Sequence, residues 1–150
     1  MKDYLIEIIS SFKEISKKNF IFNIDQYSNV KKITKSIEIV YGLRNFIGNA
    51  NKFSKETVYI YLKSDSEITE IIIEDDGDGY PRDVLSKIGE PYLRSSEIDK
   101  KSKVGLGLGL FIGKTLLEKN FALLDFKNSE TRNGAEVTVK WKNKDLFNIQ

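Results

Sequence analysis

The period of the apolar positions changes several times along the 150-residue chain, and each change predicts an element. Leu5, Ile8, Ile9, Phe12 and Ile15 recur at helical spacing, which predicts an amphipathic helix over 3–17. After a polar break, Phe20-Ile21-Phe22-Asn23-Ile24 reads as a short strand. Residues 25–34 are polar, with room for a further short strand over 30–33. Ile37, Val40, Tyr41, Ile47 and Ala50 then mark a second helix over 35–53. Two β-rich runs, 58–62 and 68–73, flank a polar turn and predict a hairpin. Residues 75–81 hold two glycines and a proline and predict a loop, with one or two helical turns over 82–88.

The stretch 89–103 is polar, rich in lysine and serine, and without a period. A loop of about 15 residues in a compact domain usually carries function. Gly105-Leu106-Gly107-Leu108-Gly109 opens a third helix, with Leu108, Phe111, Ile112, Thr115 and Leu116 as its expected buried stripe. Strands over 123–126 and 135–141 end the pattern, and Val137, Val139 and Trp141 alternate with polar neighbours as in a sheet with one wet face. The sum predicts one α+β domain over 1–150, with three main helices on one face of a mixed sheet of about five strands.

Composition removes several chemistries. Cysteine is absent, so disulfides and thiolate metal sites are excluded. Histidine is absent too, which excludes a Ser-His-Asp triad, a histidine metal site and a phosphoacceptor histidine. Any metal must be a hard ion on oxygen ligands, and magnesium is the natural candidate. Net charge is +2, from 24 basic and 22 acidic residues spread along the chain, which argues against a nucleic-acid partner. No apolar run is long enough to span a bilayer and the first residues lack a signal-peptide pattern, so the expectation is a cytosolic domain.

Three clusters carry candidate chemistry. Asn45, Asn49 and Lys52 fall on one stripe of the second helix, with Glu38 near it. Amide oxygens can ligate magnesium and an ammonium can neutralise phosphate, although the same stripe also fits a solvated polar face. Asp75-Asp76-Gly77-Asp78-Gly79 follows a strand, where glycines admit a ligand close to the backbone and a carboxylate can accept from an amino group such as adenine N6. The twelfth position counted from Asp75 is Ser86, which removes the EF-hand reading. Gly105 to Gly109 lead into a helix, a setting that turns backbone N–H groups toward phosphate oxygens. No Gly-Lys-Ser/Thr follows, so this is not a Walker loop.

In this order the three motifs resemble the GHKL nucleotide-binding family, which includes gyrase, MutL and the histidine kinases. The resemblance covers nearly the whole chain and implies the Bergerat fold, a two-layer α/β sandwich that binds ATP with Mg2+. It implies that Asn49 ligates the metal and that Asn45 and Lys52 lie near metal and phosphates. Phe53 would lie against adenine, Asp75 would accept adenine N6–H, and Gly77 and Gly79 would flank the purine. Gly105, Leu106, Gly107, Leu108 and Gly109 would form the turn at the phosphates, with 89–104 as the ATP lid and Arg94 as a lid cation for the γ-phosphate.

Asn45 stands where hydrolysing members carry a glutamate, and an amide is no general base. That favours transfer of phosphate to a protein acceptor. Gly42-Leu43-Arg44-Asn45, Gly89-Glu90-Pro91-Tyr92 and Gly107-Leu108-Gly109-Leu110-Phe111-Ile112-Gly113 are similar to the RegB/PrrB group of sensor kinases. Ala135 replaces a threonine whose hydroxyl, in many relatives, supports the adenine-side network. The resemblance implies the cytoplasmic catalytic domain of a membrane-bound sensor histidine kinase, monomeric when isolated. Its phosphoacceptor hairpin, lying upstream and dimeric in the full-length protein, would be absent from this chain, and a response regulator would act downstream. Such a domain cannot autophosphorylate on histidine by itself. Two alternatives stay open: a serine/threonine kinase of the anti-sigma-factor type, and a binding module without turnover.

Overall fold

Five strands hydrogen-bond in the order β1-β2-β3-β5-β4 in the computed structural model, which describes residues 1–25, 36–86, 88 and 106–146. The strands are β1 (Asn19–Ile24), β2 (Thr57–Ser64), β3 (Ile68–Asp75), β4 (Leu123–Asn128) and β5 (Ala135–Lys142). β1 runs parallel to β2, and the remaining pairs are antiparallel, so the sheet is mixed as its sequence implies. The helices are α1 (Lys2–Lys13), α2 (Ile37–Phe53), α3 (Arg82–Ser86), α4 (Leu106–Lys119) and α5 (Asn143–Leu146). Of these, α1, α2 and α4 are the main ones. The strand proposed over 30–33 lies outside the described residues.

Strand alternation selects the face that the helices cover. Val58, Ile60 and Leu62 of β2 stand beside Asp75, Ile73 and Ile71 of β3, and Ile73 and Ile71 stand beside Val137 and Val139 of β5. These apolar side chains are all buried. α2 packs on β2 and β3, α4 on α2 and β4, and α1 on α2 and β1. Asp75 therefore shares the covered face with the core residues, at the end of the sheet. At the opposite end a polar chain closes the sheet: the Thr69 hydroxyl donates to Asn143 Oδ1 at 2.7 Å, and Asn143 Nδ2 donates to the Asp65 carbonyl at 2.8 Å.

The helix boundaries are tighter than expected. α1 stops at Lys13 rather than residue 17, and Ile15 is 82% exposed. α2 begins at Ile37 because Ser36 caps it, its hydroxyl accepting the Ile39 N–H at 3.3 Å. Ile37, expected on the buried face, is 79% exposed at that first position, and Tyr41 is exposed too. Ile47 and Ala50 are buried as expected, and Ile39, Leu43 and Phe46 complete that face.

The stripe of α4 is also corrected. Leu110, Gly113 and Leu117 are buried, whereas Leu108 and Thr115 are exposed. Its first eight positions, Leu106 to Gly113, are all apolar or glycine, so periodicity alone does not choose a face there. The α2–α4 contact chooses it. A Cβ at Gly113 would lie 2.6 Å from Cε1 of Phe46, and one at Gly42 would lie 2.8 Å from Cγ of Leu117. Each glycine forms the groove that receives a large side chain from the other helix.

Candidate functional site

A narrow pocket, with about 30 Å³ of free interior volume, opens between α2, α4 and the Asp75 end of the sheet. α2 lines it with Phe46, Asn49, Ala50 and Phe53, successive turns of one helix face. β3 contributes Ile73 and Asp75, and β5 contributes Ala135 and Val137. Leu110 of α4, with Gly79 and Tyr80 of the loop after β3, completes it. The wall is thus mostly apolar with a carboxylate and an amide, the usual make-up of a small-molecule site.

Asp75 is the last residue of β3 rather than the first of a loop, and it is 3% exposed. Its Oδ1 accepts the backbone N–H groups of Gly77 at 2.8 Å and Ala135 at 3.2 Å. Among the described residues Oδ2 takes no hydrogen bond, so one oxygen is held and the other is left for a ligand. Burial pushes the carboxyl above its ordinary range. The two N–H donors pull it back, and the neighbouring charges of Asp76 and Glu74 add to the rise.

The loop after Asp75 is fixed from three sides. Asp76 turns away from the pocket and accepts the N–H groups of Lys55 at 2.8 Å, Glu56 at 3.1 Å and Thr57 at 3.2 Å, just past the end of α2. Gly77 packs so closely on the Phe53 carbonyl that a Cβ there would overlap it. Gly79 has φ of 82°, a backbone that favours glycine, and a Cβ would lie 2.7 Å from Asn128 Oδ1. Asn128 then holds Tyr80 at both its N–H and its carbonyl, at 2.6 and 3.1 Å. The turn between β4 and β5 presses on Asp75 as well, because a Cβ at Gly134 would overlap the Asp75 carbonyl.

On the other face of the sheet, Glu74 is 5% exposed and is held by the β4–β5 turn. It accepts from the Ser129 hydroxyl and from Arg132 Nε, the latter at 3.1 Å. Arg132 also lies 3.6 Å over the Tyr59 ring. Adjacent acidic residues thus anchor the same turn from opposite faces.

Asn49 is the second polar feature of the pocket. Its Nδ2 is buried without a hydrogen-bond partner among the described residues, a rare and costly state for an amide. Gly109 lies beside it, where a Cβ would come within 3.0 Å of Nδ2 and 3.1 Å of Oδ1. An orphaned amide N–H on this wall fits an oxygen-rich anion, and Oδ1 of the same side chain is the atom that could ligate a hard cation.

The structure brings Asn49, Phe53, Asp75 and Gly79 to one pocket, with Gly77 directly behind it and Gly109 against Asn49. It does not bring Asn45 or Lys52 to the described wall. Asn45 Nδ2 donates back to the Tyr41 carbonyl at 2.8 Å, and Lys52 is exposed with its ammonium 5.3 Å from the Phe53 ring centroid. Glu38 is drawn elsewhere, pairing with Lys119 of α4 at 2.9 Å. The glycine motif is corrected in form: α4 starts at Leu106, so Gly107, Leu108 and Gly109 occupy its first turn and not a turn before it. Packing of Leu110 and Gly113 on α2 supports the helix back through those glycines. Gly105, Arg94 and the segment 89–104 lie outside the described residues. Sequence reasoning missed Tyr80, Asp76 and Asn128. Their roles depend on backbone groups distant in sequence, which leave no local pattern.

The family model for histidine kinase-, DNA gyrase B- and HSP90-like ATPases matches residues 34–145. The chain belongs to this ATPase family. Within it the chain is homologous to the sensor histidine kinase RegB of Cereibacter sphaeroides, 38% identical over 124 residues that span 73% of this chain and 27% of RegB. It is 28% identical over 153 residues to a putative sensor histidine kinase NtrY-like protein of Rickettsia typhi, covering 95% of this chain and 24% of that protein. The chain thus spans about a quarter of the length of these curated relatives. The fold matches that of a mycobacterial sensor histidine kinase, MprB, with a TM-score of 0.76 at 22% identity over 95% of each chain. It also matches the catalytic domain of the histidine kinase ThkA, with a TM-score of 0.75 at 20% identity over 94% of this chain and 92% of that one. No helix among the described residues is long and apolar enough to cross a membrane.

Proposed function

We propose that the chain binds Mg-ATP in this pocket and transfers the γ-phosphoryl group to a histidine on a separate helical-hairpin domain. One observation carries the reading: in a member of this ATPase family, a single pocket is lined by Asp75 with an uncommitted oxygen and Asn49 with an orphaned amide. Adenine enters against Phe53, with Gly77 and Gly79 allowing close approach and Asp75 Oδ2 accepting the N6 amine. The phosphates lie toward Asn49 and the start of α4, where Leu106 to Gly109 offer backbone N–H groups. Gly105, Lys52, Asn45 and the lid cation Arg94 would complete that end.

No group of three or more acidic, cysteine or histidine side chains is placed to hold a metal ion among the described residues. Magnesium would therefore be held by the Asn49 amide oxygen, phosphate oxygens and water. When bound, the ion neutralises phosphate charge. The chain's own residues bind and orient: Asp75 selects the base, and Asn49 positions the phosphate end. None of the residues lining the pocket is a general base placed to activate water, which suits transfer over hydrolysis. In the transfer the acceptor imidazole nitrogen forms the new N–P bond as the bond from the γ-phosphorus to its bridging oxygen breaks, and ADP leaves. The full protein is read as a membrane-bound sensor kinase, dimeric through its hairpin, with a response regulator as the next acceptor.

Calorimetric titration with ATP and Mg2+ comes first. Incubation with the matching hairpin domain and γ-labelled ATP follows, and the label should be acid-labile. Acid-stable label on serine or threonine would replace this reading with the anti-sigma-factor type, and no ATP binding at millimolar concentration would leave a module without turnover.

A further inference from the structure

Tyr80 lines the same pocket as Asp75 and is 9% exposed. Its position is closely defined. Asn128 holds its backbone on both sides, and its ring meets Phe126 edge-on with centroids 6.3 Å apart. Phe126 in turn meets Phe46 of α2 edge-on at 5.7 Å. Its hydroxyl makes no hydrogen bond among the described residues, whose only hydrogen bonds to Tyr80 involve its backbone. It is not one of their fully buried unpartnered atoms, which are Asn49 Nδ2 alone, so it meets accessible space where a ligand can pair with it. Burial, and then the charges of Asp75 and Glu136, raise the phenol's pKa, so at neutral pH it carries its proton and is a donor. On the β5 side of the pocket Ala135 offers only a methyl group, so no second side-chain hydroxyl competes there.

We propose that the Tyr80 hydroxyl is a specificity-determining group of this pocket, donating a hydrogen bond to purine N1 beside the amine that Asp75 accepts. This rests on the nucleotide reading above and adds a residue to it. Adenine presents its N6 amine as a donor, flanked by the acceptors N1 and N7. A carboxylate acceptor beside a phenol donor complements that edge. Guanine presents a carbonyl in place of the amine and a protonated N1, which sets acceptor against acceptor at Asp75 and donor against donor at Tyr80. The pocket would thus discriminate between purines by two side chains that are adjacent in space but come from a strand end and a loop.

The test is calorimetric titration of the whole chain and of Tyr80→Phe with Mg-ATP, Mg-GTP, 1-deaza-ATP and 7-deaza-ATP, with melting curves recorded alongside. Loss of one neutral hydrogen bond predicts about a five- to tenfold weaker ATP affinity in Tyr80→Phe. 1-deaza-ATP should bind the parent weaker than ATP by the same factor, and Tyr80→Phe should change that analogue no further, whereas 7-deaza-ATP should bind the parent as ATP does. The preference for ATP over GTP should narrow in the variant. Equal ATP affinity in parent and variant overturns the proposal while leaving the nucleotide reading intact. An equal loss for ATP and both analogues also overturns it, because the ring would then act only by packing. Should Tyr80→Phe fail to fold, the parent decides: 1-deaza-ATP binding as tightly as ATP overturns it. Absence of ATP binding to the parent overturns the nucleotide reading and this proposal together.

Discussion

Asp75 Oδ1 accepts the Ala135 backbone N–H at 3.2 Å, joining the last residue of β3 to the first of β5 at the mouth of the pocket. A buried carboxylate is anchored by one oxygen so that the other stays available, and its burial acts against stability.

Asp75→Asn is expected to separate binding from folding. The folded pKa is raised, so the carboxyl favours folding only while protonated, below its unfolded value, and that contribution is lost as pH rises through the folded one. At pH 7 the parent carries a buried charge that the amide lacks. The variant should melt at the same temperature as the parent or higher at pH 7, and the gap should close on acidification through the raised carboxyl range. ATP affinity should fall at least about tenfold, the scale of a lost hydrogen bond to a charged group. Melting curves and calorimetry over pH check both.

Asp76 behaves in the opposite sense. Burial raises its pKa, but the N–H groups of Glu56, Thr57 and Lys55 together outweigh it and hold the carboxyl below its ordinary range. Its contribution to stability is present above the unfolded value, about 3.9, and is lost as pH falls through the depressed folded one. Asp76→Ala should cost about 1–3 kcal/mol at pH 7 and progressively less in acid. Urea unfolding at several pH values measures this, and amide exchange at Lys55, Glu56 and Thr57 should quicken.

The Gly113–Phe46 contact predicts a compensating pair. Gly113→Val places Cβ 2.6 Å from Cε1 of Phe46, so α4 must shift or Phe46 must turn. Overpacking of this kind costs about 1–3 kcal/mol. Adding Phe46→Leu should recover part of the loss, giving a coupling of about 0.5–3 kcal/mol in a double-mutant cycle. Additive losses would mean that the two residues are not in contact.

Phe121, in the turn two residues past α4, has φ of 71°, an uncommon conformation for a bulky residue. The next residue, Ala122, donates to the Leu117 carbonyl at 2.9 Å, and Trp141 Nε1 donates to the Asn120 carbonyl at 3.0 Å, so the turn is held on both sides. The Phe121 side chain is 59% exposed and adds little packing. Phe121→Gly should therefore stabilise the chain by about 0.5–1 kcal/mol, read as a higher melting temperature.

The β-rich runs over 58–62 and 68–73 and the alternation of Val137, Val139 and Trp141 were enough to place three strands, because strand-forming residues and the period of a one-faced sheet are local signals. The order of Asn49, the Asp75 to Gly79 motif and the glycines near 107 was equally legible, since each box is local. Tertiary structure decided the rest. The first half of α4, all apolar or glycine, has no preferred face until Gly113 meets Phe46 and Gly42 meets Leu117. Asn45 shares a helical stripe with Asn49, yet its amide turns back to the Tyr41 carbonyl while Asn49 stays buried at the pocket. The work of Asp76, Asn128 and Tyr80 is done through backbone groups and rings up to 48 residues away, contacts that exist only once the sheet is assembled.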